Sequence, residues 1–275
     1  MTFRLIPANQ FNLEQLTAVY NQTRQDYMVP MPMTAPRLDE YIRVYDIDLA
    51  QSLVAVEGNR LVGLGMLGIR GNRSWITRLG LIADYRSKGV GRAIVHHLLE
   101  NSDQLTIPKN TLEVIKGNQA ALQLFQNYGF RKSRELLIMG ITPGHTPKPE
   151  RDCIPIREDE MLSLLQERKM PQAWTNQTET FAQLENKCGF HFAHHNLRGW
   201  MIYQVKPKLI SRLVFRTGKN DPVKTTDHLL AHLHSRHPGL PVQIENIPAS
   251  DIRLPAFKKH GYVEVFRRIE MTRNA

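Results

Sequence analysis

The stretch richest in chemistry is Leu79-Gly80-Leu81-Ile82-Ala83-Asp84-Tyr85-Arg86-Ser87-Lys88-Gly89-Val90-Gly91-Arg92-Ala93-Ile94-Val95. An apolar strand enters a short turn, then a glycine-bearing loop, then an amphipathic helix. Glycines let the backbone approach a ligand closely and take dihedrals other residues avoid. The first N–H groups of a helix lack partners within it, and the helix dipole adds partial positive charge there. Together they form an anion site, to which Arg86, Lys88 and Arg92 add charge. The stretch therefore predicts a phosphate or pyrophosphate ligand. It is not a Walker A loop, since no Gly-Lys-Ser/Thr follows four spacers, and it is not Gly-x-Gly-x-x-Gly.

The elements that must hold this loop follow from periodicity and punctuation. Helical spacing predicts helices over 11–20 and 38–45. Residues 52–56 and 60–67 read as strands joined by a Gly58-Asn59 turn, a hairpin signal. A strand over 75–82 precedes the loop, and a helix over 90–100 follows it. Next come a strand over 111–115, a helix over 118–127 stopped by Gly129, and a strand over 134–141. Thr142 to Glu150 carries three prolines and a glycine and predicts a linker.

The chain also repeats itself. Phe125 to Phe130 (FQNYGF) has a partner in Phe257 to Tyr262 (FKKHGY), at an offset of 132. Glu113 and Met139 match Glu245 and Met271 at the same offset. Arg78-Leu79-Gly80-Leu81 resembles Arg212-Leu213-Val214-Phe215, and His97-Leu98-Leu99 resembles His228-Leu229-Leu230, with offsets of 134 and 131. Small drifts are what loop insertions produce. Two copies of one α/β unit are expected: domains at 1–142 and 151–275, with a linker at 143–150.

The loop pattern Arg86-x-x-Gly89-x-Gly91 after a strand resembles motif A of the GCN5-related N-acetyltransferases (GNAT), whose loop binds the pyrophosphate of acetyl-CoA. Leu112-Glu113-Val114, Asn118, Ala121 and Gly129-Phe130 follow that family's next motif at matching spacings. The resemblance covers residues 1–142. It implies two tandem α/β domains, each a mixed, mostly antiparallel sheet flanked by helices. It further implies acetyl-CoA as co-substrate and direct transfer of the acetyl group to a primary amine, without a covalent enzyme intermediate. Backbone groups of Leu79, Gly80 and Leu81 should bond the pantetheine arm and the thioester carbonyl. Amides from Arg86, Ser87, Lys88, Gly89, Val90, Gly91 and Arg92 should hold the pyrophosphate.

Asn118 should touch the cofactor arm, or cap its helix, or both. Glu113 lies where ribosomal-protein N-terminal acetyltransferases of this family carry a base; the alternative is a solvated glutamate on a strand edge. The position where the family often places an acidic tyrosine is Phe125, which cannot donate a proton. Tyr128 is about one helical neighbour away and is either a substitute acid or packing. The loop Tyr27-Met28-Val29-Pro30-Met31-Pro32-Met33 should bound the acceptor, as a partly apolar wall or as a cover for the core.

In the second copy the equivalent loop is Arg216 to Lys224, with one glycine, Asp221 and Pro222. Asp221 would repel a phosphate and Pro222 removes an amide donor, so this copy should be degenerate. His228 and His232 have the spacing for a metal on a helix face, but no glutamate completes His-Glu-x-x-His; a polar face without metal is expected.

The remaining features bound the alternatives. The 275 residues are 41% hydrophobic and 23% charged, ordinary for a globular protein and unlike collagen, coiled coil or long disorder. No apolar run suits a membrane span and no signal peptide is evident. Two cysteines, Cys153 and Cys188, are expected as free thiols in a cytoplasmic protein. The net charge of +10 divides as +4 over 1–142 and +6 over the rest. It suits a polyanionic ligand, yet no motif points to nucleic acid. The expected partner is a small-molecule or peptide amine, with no nucleic acid or membrane, and the protein a monomer or homodimer. A non-catalytic acyl-CoA sensor is the alternative that the missing tyrosine motivates.

Overall fold

The computed structural model describes all residues except Met1, Pro143, 145–148, Glu150 and Ala275. Most of the expected linker at 143–150 thus lies outside the described residues. The chain divides into two compact units, Met1–Ser133 with Glu270–Ala275, and Arg134–Ile269.

The first unit opens with β1 (Arg4–Pro7), α1 (Leu13–Gln22) and α2 (Ala35–Val44). A capping box starts α1: Asn12 accepts from the Gln15 amide while the Gln15 side chain accepts from the Asn12 amide. Thr34 caps α2 just before Pro36. Then follow β2 (Ile47–Glu57), β3 (Arg60–Arg70) and β4 (Arg73–Leu81). The β2–β3 hairpin turns at Gly58, whose φ of +57° is left-handed, as its Gly-Asn signal predicts. After α3 (Val90–Gln104) come β5 (Lys109–Ile115) and α4 (Gln119–Asn127). The sheet order is β1-β2-β3-β4-β5. Neighbours are antiparallel except β4 and β5, which run parallel. Leu16, Val19 and Tyr20 of α1, Leu38 and Tyr41 of α2, and Ile94 and Leu98 of α3 are buried.

The second unit holds most of β6 (Arg131–Ile141), then β7 (Ile154–Pro155), α5 (Glu158–Gln166), α6 (Thr178–Ala182), β8 (Lys187–His194), β9 (Leu197–Lys206) and β10 (Leu209–Thr217). It continues with α7 (Pro222–Arg236), β11 (Val242–Pro248), α8 (Leu254–Lys259) and the start of β12 (Val263–Asn274). Its strand order is β12-β6-β11-β10-β9-β8-β7. Only β10 and β11 pair in parallel among the registered ladders. Each unit is thus a mixed sheet flanked by helices, as expected.

The partition differs from 1–142 and 151–275 because contacts follow strand pairing rather than chain order. β6 pairs antiparallel with β11, from Val242 opposite Ile141 to Pro248 opposite Leu136, so it belongs largely to the second unit. Glu270–Ala275 belongs to the first. There Glu270 accepts a hydrogen bond from Ser133, and Arg273 lies 3.3 Å from Asp103.

The core of the second unit gathers Phe190, Tyr203, Leu229, Leu233, Phe257 and Tyr262. His234 is buried within it, its Nε2 3.2 Å from the Tyr262 hydroxyl and its ring stacked on His260. Burial and the neighbouring His260 push the His234 imidazole down to about 4. The unfolded chain, with an imidazole near pH 6.5, binds the proton more readily. This depressed group therefore contributes stability that is present above pH 6.5 and is lost as pH falls toward 4. Denaturant midpoints at pH 7 and pH 4.5 should show the second unit weakening, and the same measurement on His234→Gln should show a smaller drop. An equal drop in the variant would move the source elsewhere.

Candidate active site

The site is built where β4 and β5 part. Their parallel register runs from Arg73 opposite Lys109 to Ile76 opposite Leu112. Beyond it, β4 continues to Leu81 and β5 to Ile115 without a shared ladder, which opens a crevice at their carboxyl ends. That is where open α/β sheets place ligands. On its other edge β4 carries a bulge against β3 between Leu64 and Met66, and Arg78 there takes a left-handed φ of +54°. A bulge bends a strand and re-aims its side chains.

The loop to α3 leaves β4 through a 3-10 turn at Ala83–Tyr85. Ser87 and Gly89 both have positive φ, +59° and +84°. Gly89 is the N-cap of α3 and supplies no side-chain cap. The first-turn amides of Val90, Gly91 and Arg92 are therefore left for a ligand. The left-handed glycine was legible in the sequence; the strained serine beside it was not. Gly91 has Leu81 Cδ1 3.4 Å from where a Cβ would lie, so the helix start packs on the end of β4.

Arg86 does something other than add charge to the loop. Its guanidinium bonds Asp26, at 2.6 Å for Nη2 to Oδ1, and the carbonyls of Leu81 and Thr23. Asp26 is held below the usual carboxylate range by that hydrogen bond. Arg86 thus ties the loop to the segment after α1. Lys88 and Arg92 are exposed beside the loop.

Asn118 is the N-cap of α4, with Oδ1 accepting from the Ala121 amide at 3.1 Å. Its Nδ2 makes no hydrogen bond among the described residues. Glu113 on β5 accepts from Trp75 Nε1 at 3.0 Å, across the parting strands. Tyr128, just past α4, donates its hydroxyl to the Arg92 carbonyl at 2.8 Å, and burial raises its phenol. That hydroxyl braces α3 and does not meet Glu113. Phe125 is buried against Phe130.

Around Glu113 the structure assembles residues that local sequence patterns did not single out. Tyr41 of α2 packs on Trp75 with ring centroids 6.2 Å apart, and its hydroxyl is 2.7 Å from Thr77 Oγ1. Arg78 lies over the Tyr41 ring at 4.2 Å, and its Nη1 donates to the Tyr20 hydroxyl at 3.1 Å. Its Nη1 also stands 3.8 Å from Met31 Sδ. Arg24, after α1, donates to the Leu79 carbonyl at 2.9 Å and lies over the Tyr27 ring at 4.5 Å. Met28 Cε reaches within 3.1 Å of the Cβ position of Gly117. The Tyr27–Met33 loop thus borders the crevice between α1 and the start of α4. The sequence signals among these residues were the Tyr27–Met33 loop and the recurrence of Arg78 as Arg212; Arg24, Tyr20 and Tyr41 carried none.

Gly80 fits because nothing larger would. A Cβ there would strike the Arg24 guanidinium and come within 2.9 Å of Thr23 Cβ. Gly80→Ala should cost about 1–3 kcal/mol of stability, the usual scale of overpacking, which thermal unfolding would read. An unchanged midpoint would mean Arg24 moves aside freely.

The second unit repeats the scaffold with a different helix start. Arg212 has a left-handed φ of +49°, at a bulge of β10 between Ser211 and Val214. But the N-cap of α7 is Asp221, whose side chain accepts from the Lys224 amide at 2.9 Å, with Pro222 in the first turn. The helix start is filled by its own carboxylate. Asn176 Nδ2 donates to the Glu245 carbonyl at 3.0 Å, and Asn246 Nδ2 to Thr175 Oγ1 at 2.8 Å, so a short segment is fastened along β11. Glu245, the counterpart of Glu113, pairs with Arg268 at 3.2 Å.

His228 stacks on Phe192 and His232 meets Phe190 edge-on. Among the described residues no group of three or more His, Cys, Asp or Glu could hold a metal. Cys153 and Cys188 are free thiols, and burial pushes Cys153 up to about 12. No helix among the described residues is long and apolar enough to cross a membrane.

Residues 17–130 match the model of the Acetyltransferase (GNAT) family. Acetyltransferase SG1711 of Sodalis glossinidius (strain morsitans) is 28% identical over 110 residues, covering 40% of this chain and 76% of that protein. A GCN5-related N-acetyltransferase from Sphaerobacter thermophilus superposes with a TM-score of 0.72 at 14% identity, covering 99% of this chain and 95% of that one. A tandem GNAT protein from the clavulanic acid biosynthesis pathway superposes with a TM-score of 0.67 at 13% identity, covering 99% and 98%. At these identities the two structures speak to the fold alone.

Proposed function

Because the chain belongs to the GNAT superfamily, its matched segment being residues 17–130, we propose that it is an acetyl-CoA-dependent N-acetyltransferase with one active site, in the first unit. The observation that carries this is the α3 start. Ser87 and Gly89 take left-handed backbone, and α3 starts at Gly89 without a side-chain cap, just beyond the end of β4 where it no longer pairs with β5. Such a terminus fits a pyrophosphate, and the free Nδ2 of Asn118 lies on the helix that follows β5. Backbone groups of Leu79, Gly80 and Leu81 line β4 on the way in, although the Leu79 carbonyl already accepts from Arg24.

The bound co-substrate supplies an activated acetyl thioester. The chain's own residues do the rest. Glu113, oriented by the Trp75 indole, takes a proton from the acceptor ammonium, directly or through water, so that the nitrogen lone pair is free. A strand N–H of β4 serves the developing oxyanion. The Tyr27–Met33 loop positions the amine. Tyr128 was the candidate for protonating the departing thiolate, and would have to release the Arg92 carbonyl to do so; solvent is the simpler source. The second unit, with Asp221 and Pro222 at the start of α7, is a degenerate copy.

The test is a calorimetric titration with acetyl-CoA, followed by an amine screen that reads CoA release. One site per chain and turnover with an amine support the proposal. Two sites would restore a role to the second unit, and no binding would remove the proposal. The competing reading, an acyl-CoA sensor without catalysis, draws on Phe125 and ends with turnover of any amine.

A further inference from the structure

We propose that the acceptor is an amine that also carries a carboxylate, an amino acid, and that Arg24, with Arg78 beside it, receives that carboxylate. This rests on the acetyltransferase function proposed above and narrows its substrate.

The argument begins with the bonds of Arg24. A guanidinium has five N–H donors. Here Nη2 donates to the Leu79 carbonyl at 2.9 Å and Nη1 to Thr23 Oγ1 at 3.2 Å. Nε is buried and has no hydrogen-bond partner. Arg24 forms no ion pair with a carboxylate among the described residues. Burial, and then the cation Arg78, lower its affinity for the proton, against the opposing effect of Tyr20 and Tyr27. Buried cations are ordinarily paired, and a guanidinium fork is shaped for a carboxylate. Arg24 is half-buried as a whole, and its Nε is covered, so a carboxylate would approach the exposed part of the guanidinium.

The position of Arg24 narrows what it could bind. Arg24 is bonded to the residue after the β4 bulge, and Arg78 stands in that bulge. Both face the aromatic wall of Tyr20, Tyr27 and Tyr41. Trp75, which donates to Glu113, packs on Tyr41, and Arg78 lies over that same ring; Arg24 joins them through the Tyr20 ring that it shares with Arg78. An acceptor bearing only positive charge meets a second cation there. An amino acid instead places its ammonium toward Glu113 and its carboxylate toward Arg24. The aromatic wall and Met31 suit the carbon chain between or beside them.

The experiment uses the full chain with acetyl-CoA. L-α-amino acids and straight-chain ω-amino acids are each assayed beside the amine lacking the carboxylate, such as phenylalanine beside phenethylamine. The expected result is that kcat/KM is higher for the carboxylate-bearing member by about 10- to 100-fold, the scale of charge-assisted hydrogen bonds. Arg24→Gln should abolish that ratio mainly through KM, and Arg24→Lys should retain part of it. Acetyl-CoA affinity, read by calorimetry, should stay unchanged in both and reports that the variants are folded. Equal or better turnover of the plain amines overturns the inference and leaves the acetyltransferase function standing. No acetyl-CoA binding, or no turnover in either series, overturns that function instead. In that case direct titration with N-acetyl amino acids decides the inference: binding lost in Arg24→Gln supports it, and no binding overturns it.

Discussion

Acetyl-CoA affinity should fall by about a hundredfold or more when Gly89→Asp and Val90→Pro are introduced together, from losing a charge-assisted amide bond and adding a like charge. The pair copies Asp221 and Pro222 into the first unit. In the second unit the aspartate sits at a φ of +41°, accepts from its own helix at Lys224, and is followed by a proline in the first turn. The new carboxylate would occupy the same place at the start of α3, where Gly89 now leaves the amides open. It would repel phosphate, and the proline would remove an amide. Both N-caps are left-handed, but Gly89 has φ 84° and ψ −12° where Asp221 has φ 41° and ψ 67°, so the new aspartate must shift the loop toward its copy's geometry. Proline is at home in a first helical turn, although Val90 is buried, and thermal unfolding reports whether the fold holds. Calorimetry with acetyl-CoA, beside thermal unfolding of both proteins, checks this. Parent-like affinity in a folded variant would show that the α3 start does not hold the pyrophosphate.

Turnover should fall by about 10²- to 10⁴-fold in Glu113→Gln, the span ascribed to a general base. The carboxamide can still accept from Trp75 Nε1, so the local packing that aligns β4 and β5 is kept. Acetyl-CoA affinity should be intact. The pH–rate profile should change shape, because the carboxamide cannot take up the acceptor's proton, while the ionisation of the amine itself persists. A parent-like rate and profile would send the search for the base to water or to another group on this wall.

What could be read from the sequence was local. The Gly58-Asn59 turn, the left-handed Gly89, the Asn118 cap and the aspartate at the start of α7 are each decided within a few residues, by dihedral cost and by unpaired helix amides. Glu113 could be nominated only through the family resemblance, by the place where related acetyltransferases carry a base. Its Trp75 partner could not, since that bond depends on the register of two parallel strands. Arg86 looked like a charge for the ligand, but Asp26, sixty residues upstream, holds it. Arg24 and Arg78 come from different elements and meet only because α1 packs on β4, so no window of sequence contains both. The exchange of final strands was hidden for the same reason. Both copies carry similar strands after the Gly-aromatic stop, and side-chain pattern alone does not say which neighbour each will pair with.

The return of Glu270–Ala275 to the first unit also bears on how the molecule is made. On the ribosome, the unit carrying Glu113 and the α3 loop emerges early, yet its last segment emerges only after the whole second unit. Closing so wide a loop costs entropy before the contacts reward it. Until then the exposed side of β5, next to β12 in the strand order, offers unpaired backbone groups to any passing strand. The first unit is thus completed by the tail that follows the second. Synthesis of the second half thereby becomes a condition for finishing the first.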